Sequence, residues 1–134
     1  ASGELPIPVV LPLHPRTDKL MRENGIEANG NLRICAPLPY LSMLGMLNGC
    51  PFVITDSGGL QREAYYSGKK CITVRNETEW VELVEFGASR LLNPDDSDMH
   101  AAFLWAMEPL TASPNFYGSG DAGNKILRIL IQGQ

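Results

Sequence analysis

The sequence predicts an α/β fold, a parallel sheet covered by helices on both faces. Two observations predict it. Short apolar, β-prone runs alternate with helical segments of roughly ten residues along nearly the full length of the chain. Runs such as Phe52-Val53-Ile54-Thr55 are continuously apolar rather than alternating, the pattern of a strand buried on both faces. Strands joined by helices imply right-handed crossovers, hence parallel neighbours.

Each element has its own local reason. Residues 8–13 read as a strand, and its flanking prolines place it near a sheet edge. Residues 16–24 form a short helix that Gly25 closes. Residues 32–35 make a second strand, and residues 40–48 a second helix ending at Gly49. The strand 52–55 leads into a helix over 60–67, with Leu60, Ala64 and Ser67 at helical spacing and Gly68 as the stop. Next come a strand at 71–74, a helix from about Thr78 to Phe86 stopped by Gly87, and a last short strand at 89–92. A helix from about Ser97 to Met107 precedes an irregular stretch from Ser113 to Gly120. Residues 122–131 close the chain as a helix with Ala122, Ile126 and Ile129 along one face. The five strands fit one sheet in one domain of 134 residues, enough chain to bury a core.

The junction "ITDSGGLQREA", residues 54–64, carries the strongest chemical signal. A strand runs through Asp-Ser-Gly-Gly straight into a helix, and two glycines leave the first helical turn bare. Its free amides and the helix dipole suit an anion. The plainer reading is a capped turn, with Ser57 bonding to the first amides. The pattern is neither a Walker loop nor G-x-G-x-x-G. Parallel folds gather the turns that follow their strands onto one edge, where ligands bind. That rule collects residues 14–17, 36–40, 56–59 and 75–78, bringing His14, Arg16 and Arg75 to the bare helix start and favouring a phosphate-bearing ligand. Glu63, one turn beyond Gly59, could accept hydrogen bonds from a diol beside that phosphate. It could equally be a solvated carboxylate paired with Arg62, Lys69 or Lys70.

A net charge of −4 and the lack of any basic stripe exclude a nucleic-acid surface. Three cysteines, Cys35, Cys50 and Cys71, lie in or beside apolar segments without metal-type spacing, pointing to a reducing cytoplasm. No signal peptide or eighteen-residue apolar run suggests a membrane.

Taken together, "HPRT", "TDSGGLQREA", Gly68-Lys69, "VRNETEW" and "NFYGSG" closely resemble the carboxyl-terminal domain of the non-hydrolysing UDP-N-acetylglucosamine 2-epimerases. The resemblance runs from about Val9 to the final helix. It implies the second Rossmann-like domain of a glycosyltransferase B-type fold, in a cytoplasmic bacterial enzyme of polysaccharide biosynthesis. It implies that Ser57, Gly58 and Gly59 cradle the diphosphate of UDP and that Glu63 holds the ribose hydroxyls. His14 would be catalytic, at the phosphate near the reacting sugar, with Arg75 at the same mouth. Residues 37–43, Leu38 and Met43 among them, would form the uracil pocket. The implied reaction eliminates UDP to a glycal and re-adds it after protonation on the opposite face of C2, with no metal and no cofactor. Three positions depart from the usual pattern. Met43 stands where an aromatic often closes over uracil, and Ser119 where aspartate is usual. Trp80 stands where many members have arginine, a Thr-Glu-Trp form that resembles the branch acting on diacetamido-uronic acid nucleotides. The family's catalytic carboxylates belong to an amino-terminal domain not found in this sequence, so the chain is expected to be a fragment, inactive alone. That domain is its expected partner, in a homodimer when intact. A UDP-sugar glycosyltransferase domain and a stand-alone nucleotide-binding module are the alternatives.

Overall fold

Strand and helix alternate as the sequence pattern demands. The computed structural model describes residues 7–28, 30–93, 95, 98–112 and 114–132. Among them the order is β1 (Val9–Pro12), α1 (Pro15–Glu23), β2 (Leu32–Cys35), α2 (Tyr40–Gly49), β3 (Phe52–Thr55), α3 (Gly58–Tyr66), β4 (Lys70–Thr73), α4 (Val81–Phe86), β5 (Ser89–Leu91), α5 (Met99–Met107) and α6 (Ala122–Gln132). Two compact units result, Ala1–Met43 and Leu44–Gln134. The expected starts of a helix at Ser97 and of an irregular stretch at Ser113 lie outside the described residues.

Every ladder is parallel, as expected, but the single five-stranded sheet is corrected. The described strands form a β1-β2 pair and a β3-β4-β5 sheet. Proline chemistry accounts for one free edge. The amides of Val9 and Leu13 both donate toward β2, to Asn31 and Cys35. On the opposite edge Pro12 has no N–H to offer, so β1 is poorly equipped for a second ladder.

Burial on both faces, expected for several strands, is complete only in β4, whose four residues are all buried. Val10 of β1 is 46% exposed and Ile54 of β3 is 38% exposed. The reason is position, since β4 lies between β3 and β5. Successive side chains of a strand face opposite ways. Cys71 packs with Leu47, Val53 and Ala64, under α2 and α3. Ile72 packs with Leu92, Ala102 and Ala106, under α5. Helices therefore cover both faces. A third cluster, Tyr65, Leu83 and Ala88 with Trp80 and Tyr117, ties α3 to α4 and to the loop beyond residue 110. Ile72 and Leu83 are 0% and 1% exposed. Cutting either back to alanine should cost about 2–5 kcal/mol.

Candidate functional site

The turn after β3 leaves its helix start bare. Ser57 takes the N-cap position with φ −83° and ψ 125°, yet its side chain makes no capping bond. Its own amide donates to Thr55 Oγ1 at 3.0 Å. The first helical bond runs from the Gln61 amide to the Ser57 carbonyl at 3.3 Å. The amides of Gly58, Gly59 and Leu60 find no acceptor among the described residues. Orphan amides at the positive end of a nine-residue helix make a site for negative charge.

The two glycines serve different ends. A side chain at Gly59 would meet only Ser57 Oγ, at 3.9 Å, so that face is open to a ligand. A side chain at Gly58 would run into the Glu79 carboxylate and lie 3.6 Å from Trp80 Nε1.

Those two residues belong to the loop after β4, which braces the turn from behind. The Trp80 indole N–H donates to the Gly58 carbonyl at 2.9 Å. Gln61, fully buried, donates through Nε2 to the Ser57 carbonyl at 3.4 Å and accepts from the Thr78 hydroxyl at 2.7 Å. The Trp80 amide in turn donates to Thr78 Oγ1 at 3.2 Å. The Arg62 guanidinium lies 4.5 Å over the Trp80 ring, and Tyr117 meets that ring edge-on at 5.7 Å. In the sequence Gln61 is only a helix residue and Trp80 only a marker of sugar branch. No periodicity could pair them, because their partners lie 17 and 22 positions apart.

Arg75 sits at this mouth, but not as a free cation. Its Nη1 donates to Glu79 Oε2 at 3.0 Å. The Glu79 carboxyl is held below its ordinary range, first by its own backbone amide and then by Arg75. Glu63 is half-buried on α3 with no ion pair among the described residues. The three cations proposed as its partners are engaged elsewhere. Arg62 covers Trp80, Lys69 donates to the Asn48 carbonyl, and Lys70 to the Trp105 carbonyl and to Glu108.

Ser57, Gly58, Gly59, Glu63 and Arg75 all belong to the larger unit, while His14, Leu38 and Met43 belong to Ala1–Met43. His14 is exposed and caps α1, its Nδ1 accepting from the Arg16 amide at 3.3 Å. His14 therefore fixes the turn into α1. Leu38 and Met43 are half-buried around the start of α2. Among the described residues no three His, Cys, Asp or Glu side chains could share a metal ion, and no helix is long and apolar enough to cross a membrane.

Residues 2–131 match the family model described as UDP-N-acetylglucosamine 2-epimerase. The chain belongs to that family. It is 39% identical over 126 residues to the UDP-2,3-diacetamido-2,3-dideoxy-D-glucuronate 2-epimerase of Pseudomonas aeruginosa, covering 93% of this chain and 35% of that protein. It is 32% identical over 130 residues to the UDP-N-acetylglucosamine 2-epimerase of Methanocaldococcus jannaschii, covering 94% of this chain and 36% of that protein. The crystal structure of the latter family member in complex with UDP-GlcNAc and UDP superposes with a TM-score of 0.84 at 32% identity, over 94% of this chain and 36% of that one. The chain thus spans about a third of the length of the curated relatives it matches. Its relatives include archaeal as well as bacterial proteins.

Proposed function

We propose that this chain is the UDP-holding, carboxyl-terminal part of an epimerase that inverts C2 of a UDP-linked 2-acetamido sugar. The observation that carries this reading is the uncapped start of α3, three free amides at a helix N-terminus in a chain of this family. Gly58, Gly59 and Leu60 would donate to the diphosphate, with Ser57 Oγ free to join them. Glu63, in no ion pair among the described residues, would accept from the ribose hydroxyls. Leu38 and Met43 would face uracil. Arg75 would meet the ligand's negative charge while tethered to Glu79.

In the reaction a base removes the C2 proton, the C1–O bond breaks, and its electron pair leaves with UDP as the C1–C2 double bond forms. Protonation of C2 from the opposite face and return of UDP to C1 complete the inversion. Donors aimed at the leaving diphosphate lower the cost of its developing charge. His14 would donate through Nε2, since Nδ1 accepts the capping bond. The proton-moving carboxylates would come from a separate amino-terminal domain. The exposed apolar side chains of α6, Ile126, Leu127 and Leu130, offer that domain a surface in a cytoplasmic homodimer. For the sugar, a 2,3-diacetamido-uronate is favoured by Thr78-Glu79-Trp80 and by the similarity to the Pseudomonas protein.

The test is titration calorimetry of the full-length protein with UDP and with inorganic phosphate. Glu63→Gln keeps the shape and removes a charged acceptor, so UDP should bind more weakly by about 1.5–3 kcal/mol while phosphate binds as before. Equal losses for both ligands would show that Glu63 acts through the fold, and wild-type protein that ignores UDP would end the reading.

A further inference from the structure

The peptide joining Gly58 to Gly59 has its carbonyl and its N–H in two different hands. The carbonyl accepts the Trp80 indole N–H at 2.9 Å. The N–H on the same peptide is that of Gly59, one of the free amides, at the position where an added Cβ would meet only Ser57 Oγ, at 3.9 Å. The peptide before it is arranged the same way. Its carbonyl, that of Ser57, accepts from the Gln61 amide at 3.3 Å and from Gln61 Nε2 at 3.4 Å. Its N–H is the free amide of Gly58.

We propose that Trp80 is a positioning residue that orients and polarises the Gly58–Gly59 peptide, with Gln61 doing the same for the peptide before it. This rests on the diphosphate reading of the α3 turn. A hydrogen bond accepted at a carbonyl withdraws charge through the amide and strengthens the donor at its other end, and such chains reinforce one another. The indole is itself held in place, between the Arg62 guanidinium on its face and the edge of Tyr117. Thr78 closes the brace, taking the Trp80 amide on one side and donating to Gln61 on the other. Trp80 therefore acts through the backbone, from the side of the turn opposite the ligand. It is a determinant of how tightly the diphosphate is held, whichever sugar follows.

The coupling runs both ways, which supplies the test. In full-length protein labelled with 15N at tryptophan, the Trp80 indole resonance is identified by its loss in Trp80→Phe. It should move downfield when UDP saturates the site and stay in place when uridine, which lacks the phosphates, is added instead. Trp80→Phe keeps a ring for Arg62 and Tyr117 but removes the donor. It should weaken UDP binding by about threefold to tenfold and leave uridine binding unchanged. An indole resonance that ignores UDP, or that moves equally with uridine, overturns the proposal. So does a phenylalanine variant that binds UDP as wild type does, or that loses UDP and uridine alike. Wild-type protein that fails to bind UDP would instead overturn the functional reading beneath it.

Discussion

The starts of α1 and α3 both follow a parallel strand directly, and they treat their free amides in opposite ways. At α1 the cap closes on itself. His14 turns its Nδ1 onto the Arg16 amide, and Pro15 in the first helical position has no N–H to satisfy. At α3 the cap stays open, although serine is among the best capping residues and histidine is not. Leaving a cap unmade forgoes about 1 kcal/mol of helix stability. The rear brace of Trp80, Gln61 and Thr78 holds the open turn instead. A helix start held rigid from behind and unsatisfied in front is prepared for an outside acceptor; one that satisfies itself is not.

The largest effect should come from placing a carboxylate in the open turn. Gly59→Asp fits sterically, since an added Cβ meets only Ser57 Oγ at 3.9 Å. An acid in the first turn favours the helix, so the melting temperature should hold or rise. UDP affinity of the full-length protein should fall by roughly a hundredfold, because like charges brought together cost several kcal/mol. Parallel loss of stability and binding would mean that the turn is a structural feature and not an open site.

Alkali should act on the sheet beneath α3. Cys71 packs against Ala64 of that helix, and burial pushes its thiol from 9.0 up to about 11, with hydrogen bonds to Thr73 and Ser89 opposing. The folded state then holds this proton more tightly than the unfolded chain does. Its contribution is complete below about pH 9 and is lost as pH rises toward 11. Roughly 2–3 kcal/mol should disappear from urea unfolding across that window. Cys71→Ala should lack the slope, and an unchanged slope in that variant would assign it to other groups.

The smallest effect belongs to α1. His14→Ala removes an exposed capping bond and should cost about 0.5–1 kcal/mol. His14→Asn keeps a capping acceptor and should unfold like wild type. If the asparagine variant of the full-length protein still loses turnover far more than UDP affinity, the imidazole serves chemistry as well as the cap. If its turnover is intact, His14 is a cap alone.

Much of the architecture was legible because the chain punctuates itself. Strands β2 and β3 have the bounds their apolar runs predict, Leu32–Cys35 and Phe52–Thr55. Gly87, with φ 82°, ends α4 where a left-handed residue was needed. Where an element's bounds differ from its local pattern, a tertiary partner intervenes. The helix expected from Thr78 begins only at Val81, because Thr78 and Trp80 are drawn off to Gln61 and Gly58. The helix expected from Leu60 begins at Gly58, within the turn that this loop braces.

By itself the sequence determined the alternation of strand and helix, the parallel pairing, and a glycine-rich turn at 56–59 that runs straight into a helix. Those follow from local patterns, apolar runs and glycines a few residues apart, which act before any distant contact forms. Only the tertiary structure decided which helix start is closed and which is open, which cations are already engaged, and what stands behind the bare amides. Capping depends on a side chain's rotamer and on competing hydrogen-bond partners, and those partners are brought near only when the chain packs. Ser57 had the chemistry to close its own turn, and its hydroxyl remains unused there.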